Sequence, residues 1–185
     1  MTGTTIAQAI PVAISPILTR IYSPEDFGVF AIYISIVTIL SVIVTGAYDL
    51  AIVIPKKDAD ALYIIKLSFL VTSVISFIVL LIVFFFNNQI VLLIGDENLR
   101  TWLYFIPFSI FLSGIYQSVN YWLNRHRYYK SIAINRVIQS GTAGSVQLAM
   151  GFIGLVSSGL ILGKILGQLV STILLGKIYL QEKKR

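Results

Sequence analysis

Apolar runs, each separated from the next by a short polar or charged stretch, fill nearly all of this 185-residue sequence. They fall at about 2–19, 27–54, 61–86, 101–123, 131–156 and 159–179. Each approaches or exceeds the roughly 20 residues a helix needs to cross a bilayer. The breaks are the charged turn from Arg20 to Asp26, a polar loop holding Lys56, Lys57, Asp58 and Asp60, an acidic-polar stretch from Asn87 to Arg100, and the basic cluster Asn124 to Lys130. A tight Ser157-Ser158-Gly159 turn and a QEKKR tail complete them. Open strands cannot satisfy their backbone polar groups in lipid. The pattern therefore predicts an all-α integral membrane protein, a six-transmembrane-helix bundle over 1–185.

Composition agrees. The chain is 57% hydrophobic and 12% charged, with a mean hydropathy of +0.87, where a soluble domain is about a quarter charged. Little sequence is left for a soluble domain. A net charge of +6 would suggest nucleic acid in a soluble protein, but here the basic residues sit in the gaps between apolar runs, which is a topology signal. No nucleic-acid partner is expected. With no cysteine, a disulfide framework, a zinc ribbon and thiol chemistry are excluded. Ala7-Gln8-Ala9 has the form of a signal-peptidase site, but the basic leader and apolar core that should precede it are missing. The uncharged run begins abruptly at Met1, as it would if a short basic leader preceded it.

Loop charges orient the bundle. Alternate loops place Lys56, Lys57, Arg125, Arg127, Lys130, Lys183, Lys184 and Arg185 on one side, and only Arg20 and Arg100 on the other. The positive side faces the cytoplasm, so both termini are expected on the cytoplasmic side and the Arg20 turn outside. The same asymmetry argues against a small dual-topology transporter.

Polar residues at helical spacing mark the faces turned away from lipid. The second span carries Ser35, Thr38, Thr45 and Asp49; the fourth Ser109, Ser113, Gln117 and Asn120; the fifth Arg136, Gln139, Ser140, Ala143, Gln147 and Gly151. The serines and threonines are expected to join helices through interhelical hydrogen bonds, each contributing about 0.6 kcal/mol. On the sixth span Gly159, Gly163 and Gly167 stand four apart, with Ser171 next; such a row forms a packing groove for another backbone. Lys164 and Gln168 make a polar line beside it.

Intramembrane charges ask for more. An Arg or Lys at mid-bilayer costs at least about 2.5 kcal/mol, so it needs a partner, an aqueous cavity or a snorkelling route. Lys66 and Arg136 lie within about two turns of the cytoplasmic ends of their spans, and Lys164 within two turns of an outer end. Snorkelling and an inward position are both open for each. Lys177 reads as a snorkelling cytoplasmic residue. Pointing inward, Arg136 and Lys164 would give the interior a positive potential suited to an anionic substrate. Asp49, the one acidic residue within a span, could pair with a cation, carry a coupling proton or be solvated near the inner end. His126, the only histidine, lies in a basic loop and reads as solvated surface. The membrane spans hold no carboxylate pair for a magnesium-diphosphate, and the chain has no phosphate-binding glycine loop. No cofactor or metal is called for, and transport is favoured over catalysis.

Two segments carry a resemblance. Ser15 to Ala31, SPILTRIYSPEDFGVFA, and Gly46 to Leu62, GAYDLAIVIPKKDADAL, resemble the start of the polysaccharide biosynthesis flippases, the O-antigen and capsule-repeat translocases of the multidrug/oligosaccharidyl-lipid/polysaccharide exporter superfamily. The matching residues are Pro16, Leu18, Thr19, Arg20, Tyr22, Ser23, Pro24, Glu25, Phe27 and Gly28, then Tyr48, Ala51, Ile52, Pro55 and Lys56. The likeness is dense over the first third; beyond it, hydropathy and topology agree. It implies translocation of an undecaprenyl-diphosphate-linked oligosaccharide across the inner membrane for O-antigen, capsule or exopolysaccharide synthesis. By analogy with the family's basic cavity, Arg136 and Lys164 would neutralise the diphosphate, with Gln139, Gln147, Gln168 and Lys66 as further cavity candidates. Arg20 and Glu25 are expected to set turn geometry, with Pro24 starting the turn and Gly28 freeing its exit.

Family members have about twelve to fourteen spans in two bundles that rock to give alternating access. Six spans resemble an N-terminal half. The glycine groove would then suit a second lobe or a second copy, and a polysaccharide polymerase is a further candidate partner. A non-transporting scaffold for polysaccharide assembly and a small-molecule exporter are the alternative readings. The exporter predicts acidic intramembrane charge, against which Lys66, Arg136 and Lys164 weigh.

Overall fold

The computed structural model describes residues 2–45, 51–55 and 57–182, with only the backbone at 2–4 and 156–157. Tyr48, Asp49, Lys56 and the basic tail 183–185 lie outside the described residues, and with them the coupling role considered for Asp49. The described chain is helical, without a strand: α1 (Thr2–Ile21), α2 (Pro24–Thr45), α3 (Asp58–Ile94), a 3-10 turn (Glu97–Leu99), α4 (Arg100–Leu103), α5 (Ile106–Arg125), α6 (Tyr129–Phe152) and α7 (Val156–Glu182).

Several boundaries depart from the hydropathy pattern, each for a local reason. The first turn is only Tyr22 and Ser23, because α2 starts at Pro24 and not at Phe27. Ser23 caps it: the Asp26 carboxylate accepts from the Ser23 backbone N–H at 2.9 Å and from its hydroxyl at 2.7 Å, while the Ser23 Oγ accepts from the Asp26 N–H at 3.2 Å. This is a capping box with proline at the first helical position. Gly28 consequently lies inside α2 with open space around it, and does not free the exit of the turn.

Helix α3 continues past Phe86 to Ile94, through residues expected to be loop. Asn87 is buried and donates to the Arg100 carbonyl at 3.1 Å, and Val91 packs in the core. The one irregularity is at Phe86 (φ −114°, ψ 15°), where the apolar run ends. At 37 residues the helix is about 55 Å long, well beyond the roughly 30 Å hydrocarbon core.

The fourth apolar run is broken. The segment Glu97–Leu103 meets Ile106–Arg125 at 50°, with Pro107 at the start of α5, where its missing N–H and its restriction of Ile106 interrupt the ladder. The turn expected at Ser157-Ser158-Gly159 lies earlier, at Ile153 to Leu155. There Gly154 supplies the left-handed backbone (φ 83°), so Gly159 falls inside α7.

By length and composition three helices can cross a membrane, Pro24–Thr45, Asp58–Ile94 and Ser158–Glu182, or four if the bent pair counts as one. Thr5–Ile21 is shorter, with Pro11 and Pro16 inside the helix. Helix α6 is long enough but does not reach the same apolarity, because it carries the polar row read above. That row is turned largely towards α1 and α7.

Packing is inside-out for a water-soluble bundle. Ser68, Thr72 and Ser76, one turn apart on α3, are buried, while Phe77, Phe84 and Phe85 of the same helix are at least 60% exposed. Ser68 Oγ meets Ser118 Oγ at 2.7 Å, and Tyr33 Oη meets Ser109 Oγ at 2.6 Å. An apolar exterior over a hydroxyl-lined seam is what a lipid solvent selects. Helix α7 lies against α6, α5 and α2; α1 rests on α6, and α3 on α5.

The glycine row on α7 is filled from within the chain. A Cβ at Gly163 would stand 2.8 Å from the Ala143 carbonyl oxygen, and one at Gly167 2.8 Å from that of Gln139. Gly159 gives its space to Tyr22 and Met150. The groove thus receives α6 and the first turn, not a second lobe or a second copy.

Candidate functional site

A cavity of about 360 Å³ lies between α1, α2, α6 and α7. Pro11, Ile14, Ser15 and Leu18 form its α1 wall, Phe27 and Phe30 its α2 wall. Gln139, Ser140, Ala143, Gly144 and Gln147 come from α6, and Leu160 and Lys164 from α7. The α1 wall is seated by small residues on α6: Ile14 occupies the space a side chain at Gly144 would need, and Ile21 that of Gly151. Both pairs advance by seven residues, so α1 and α6 run parallel.

Of the sequence candidates, Lys164, Gln139 and Gln147 come together on this cavity. Lys164 is exposed and makes no ion pair among the described residues, so its charge faces the cavity unneutralised. Gln147 is fixed: its Nε2 donates to the Leu160 carbonyl at 3.1 Å, and its own carbonyl accepts from the Tyr22 hydroxyl at 2.6 Å. Gln139 Nε2 donates to Gln168 Oε1, which ties α6 to α7. Gln168 itself does not line the cavity.

Arg136 and Lys66 are not part of the lining. Arg136 is half-buried on α6, one turn beyond Ser140. Lys66 is exposed on α3 with its ammonium 5.5 Å from the centre of the Tyr63 ring, itself 69% exposed. That position suits a side chain snorkelling along an apolar surface.

The motif turn divides into two roles. Pro16, Thr19, Arg20, Pro24 and Glu25 are exposed, and Arg20 and Glu25 form no ion pair with each other among the described residues. Thr19 returns its hydroxyl to the Pro16 carbonyl at 3.2 Å. Tyr22, 3% exposed, instead enters the α6/α7 seam, with its ring edge-on to Phe27 at 6.3 Å. Its place in a motif gave no hint that its hydroxyl holds a cavity residue.

A second polar centre was not legible in the sequence. At the opposite end of the bundle, Arg125 donates to Asp58 at 3.0 and 2.8 Å and reaches the carbonyls of Val53 and Pro55. The guanidinium holds the Asp58 carboxyl, which precedes the apolar part of α3, below its ordinary range by hydrogen bonding. His126 is not the solvated surface residue expected from its basic loop. Its ring lies tilted against that of Trp122, with centroids 4.5 Å apart, and its Nε2 is 3.4 Å from Glu182 and 3.7 Å from Asp58. Trp122 donates to Glu182 at 2.6 Å. These contacts join the ends of α3, α5 and α7 in one clasp. No group of three or more metal-ligating side chains occurs among the described residues.

The comparisons with known proteins give one match. A family model described as polysaccharide biosynthesis protein covers residues 17–182. No curated protein and no solved structure matches the chain. The matched span takes in the cavity helices α2, α6 and α7 with Lys164, the end of α1 from residue 17, the turn that follows it and the clasp, and the chain belongs to this polysaccharide biosynthesis protein family.

Proposed function

We propose that the chain is one six-span lobe of a flippase in the bacterial inner membrane, with both termini cytoplasmic. It moves an undecaprenyl-diphosphate-linked oligosaccharide to the outer face for O-antigen, capsule or exopolysaccharide synthesis. The family is of a transporter type, not a catalytic one. In this reading the bent pair is one span, and α1 and α6 cross the membrane because their neighbours cover their polar or short stretches.

The observation that carries the proposal is Lys164 facing the α1/α2/α6/α7 cavity without a neutralising carboxylate. Hydrocarbon rejects the diphosphate more strongly than any other part of such a substrate. A lysine offers it a compact charge with three donors, and Gln139, Ser140 and Gln147 offer further hydrogen-bonding groups beside it. Phe27, Phe30, Leu18 and Leu160 form apolar walls suited to the prenyl chain or to sugar faces. Arg136, one turn away, adds positive potential without lining the site.

The test is to delete the parent transporter and locate its lipid-linked repeat units. Accumulation on the cytoplasmic side, reversed by the wild-type gene and not by Lys164→Gln, is expected. Normal surface polysaccharide in the deletion strain would overturn the assignment. Complementation by this 185-residue chain alone separates a transporting lobe from a scaffold, which would give no translocation.

A further inference from the structure

Resting on the reading above, that the cavity receives the diphosphate of a lipid-linked oligosaccharide, we infer that Gln147 determines specificity for the sugar attached to it. Its side-chain oxygen accepts a hydrogen bond from a hydroxyl or an amide N–H of that sugar.

Gln147 is held in one orientation from three sides. Its stem fills the space that a side chain at Gly163 would need. Its Nε2 donates to the Leu160 backbone carbonyl at 3.1 Å, and its own backbone carbonyl accepts from the Tyr22 hydroxyl at 2.6 Å. A backbone carbonyl can only accept, so the end of the amide turned to Leu160 is the NH₂. The oxygen is the opposite end. It takes no hydrogen bond among the described residues, from Lys164 included. Nor is it one of the side-chain oxygens sealed inside the protein without a partner. Gln147 lines the cavity, so this oxygen is a fixed acceptor within reach of what the cavity holds.

The substrate's chemistry decides what such an acceptor can bind. An ionised diphosphate presents only acceptors, and a prenyl chain presents neither donors nor acceptors; the donors are on the sugar. Lys164 lies one turn of α7 beyond Leu160, about 6 Å along the axis. That is close enough for the first ring bonded to a diphosphate at Lys164 to reach Gln147. The rest of the lining agrees. Ser35, Thr38, Ser73 and Thr172 return their hydroxyls to the carbonyl four residues earlier in their own helices. Ser15 and Ser140, both on the cavity, have side chains that make no hydrogen bond among the described residues. With the aromatic rings of Phe27 and Phe30, these neutral hydroxyls suit a polyol better than an anion.

Isothermal calorimetry on the purified chain in a neutral detergent tests this with methyl diphosphate, glucose 1-diphosphate and cyclohexyl diphosphate, whose ring carries no hydroxyl. Glucose 1-diphosphate should bind the wild type about three- to tenfold more tightly than methyl diphosphate, the effect of one neutral hydrogen bond. Gln147→Met, which keeps the length of the side chain without its amide, should lose that advantage, while the ratio of cyclohexyl to methyl diphosphate, set by ring packing, should not fall. No advantage of glucose 1-diphosphate in the wild type would overturn the inference, whether or not the variant folds. So would an undiminished advantage in Gln147→Met, or a loss shared equally by cyclohexyl diphosphate, which would make Gln147 a packing residue. Methyl diphosphate bound equally by the wild type and by Lys164→Gln would instead overturn the underlying reading, that Lys164 meets the diphosphate.

Discussion

The Tyr22 hydroxyl donates a 2.6 Å hydrogen bond to the backbone carbonyl of Gln147, 125 residues away in sequence. It joins the motif turn between α1 and α2 to a wall of the cavity, and it lies where Gly159 leaves room for the phenol. Tyr22→Phe keeps the ring and removes the donor. It should lower stability by about 1 kcal/mol, read as a fall of about 2–4 °C in the melting temperature of the detergent-solubilised protein. An unchanged melting temperature would show that the hydroxyl holds nothing.

Two glycines on α7 should respond in opposite directions to the same change. Gly163→Ala puts a methyl group 2.8 Å from the Ala143 carbonyl, and the backbone must move apart at a cost of about 1–3 kcal/mol. Gly176→Ala meets nothing within 4 Å and gains helix propensity of up to about 1 kcal/mol. Thermal melts of the two variants measure this, and equal behaviour would contradict the packing described.

Arg125→Met should loosen the clasp. It strips hydrogen bonds from the carbonyls of Val53 and Pro55 and from Asp58. Limited proteolysis in the segment before α3 should accelerate about tenfold, given a loss of about 1.4 kcal/mol in local stability. Asp58→Asn, on an exposed carboxylate, should have a smaller effect. Cleavage at the wild-type rate in Arg125→Met would mean that the segment is held by other contacts.

The absence of cysteine makes topology directly measurable. Single cysteines at Ser23 and Asn98 should react with a membrane-impermeant maleimide in intact cells, and one at Arg127 only after permeabilisation. Labelling of Arg127→Cys in intact cells would invert the orientation, and labelling of Ser23→Cys only after permeabilisation would break the six-span order.

The sequence carried the helical class, the approximate positions of the helices and the polar face of α6, because lipid allows few alternatives to an apolar helix. It missed the ends. The Ser23-Pro24-Glu25-Asp26 cap has the form of a capping box, but its charges between two apolar runs also give it the form of a longer polar turn. Pro107 and Gly154 were readable breaks obscured by the surrounding hydropathy. The candidate site was legible as a set of residue types, and Lys164 and Gln147 do share a cavity. Separating them from Lys66 and Arg136 required knowing which face of each helix meets which neighbour, and that follows from where glycines permit close approach. The clasp was not legible at all: Asp58, Arg125, His126 and Glu182 come from three helices, and no local pattern links them.

If Lys164 meets the anionic part of a translocated lipid, single substitutions at the native locus should change surface-polysaccharide export. A charged hydrogen bond to a diphosphate contributes about 1.5–3 kcal/mol, so Lys164→Gln should lower export about ten- to a hundredfold at unchanged membrane abundance, with Lys164→Arg largely restoring it and Lys66→Gln remaining at the wild-type level. Normal export by Lys164→Gln at normal abundance would contradict the account.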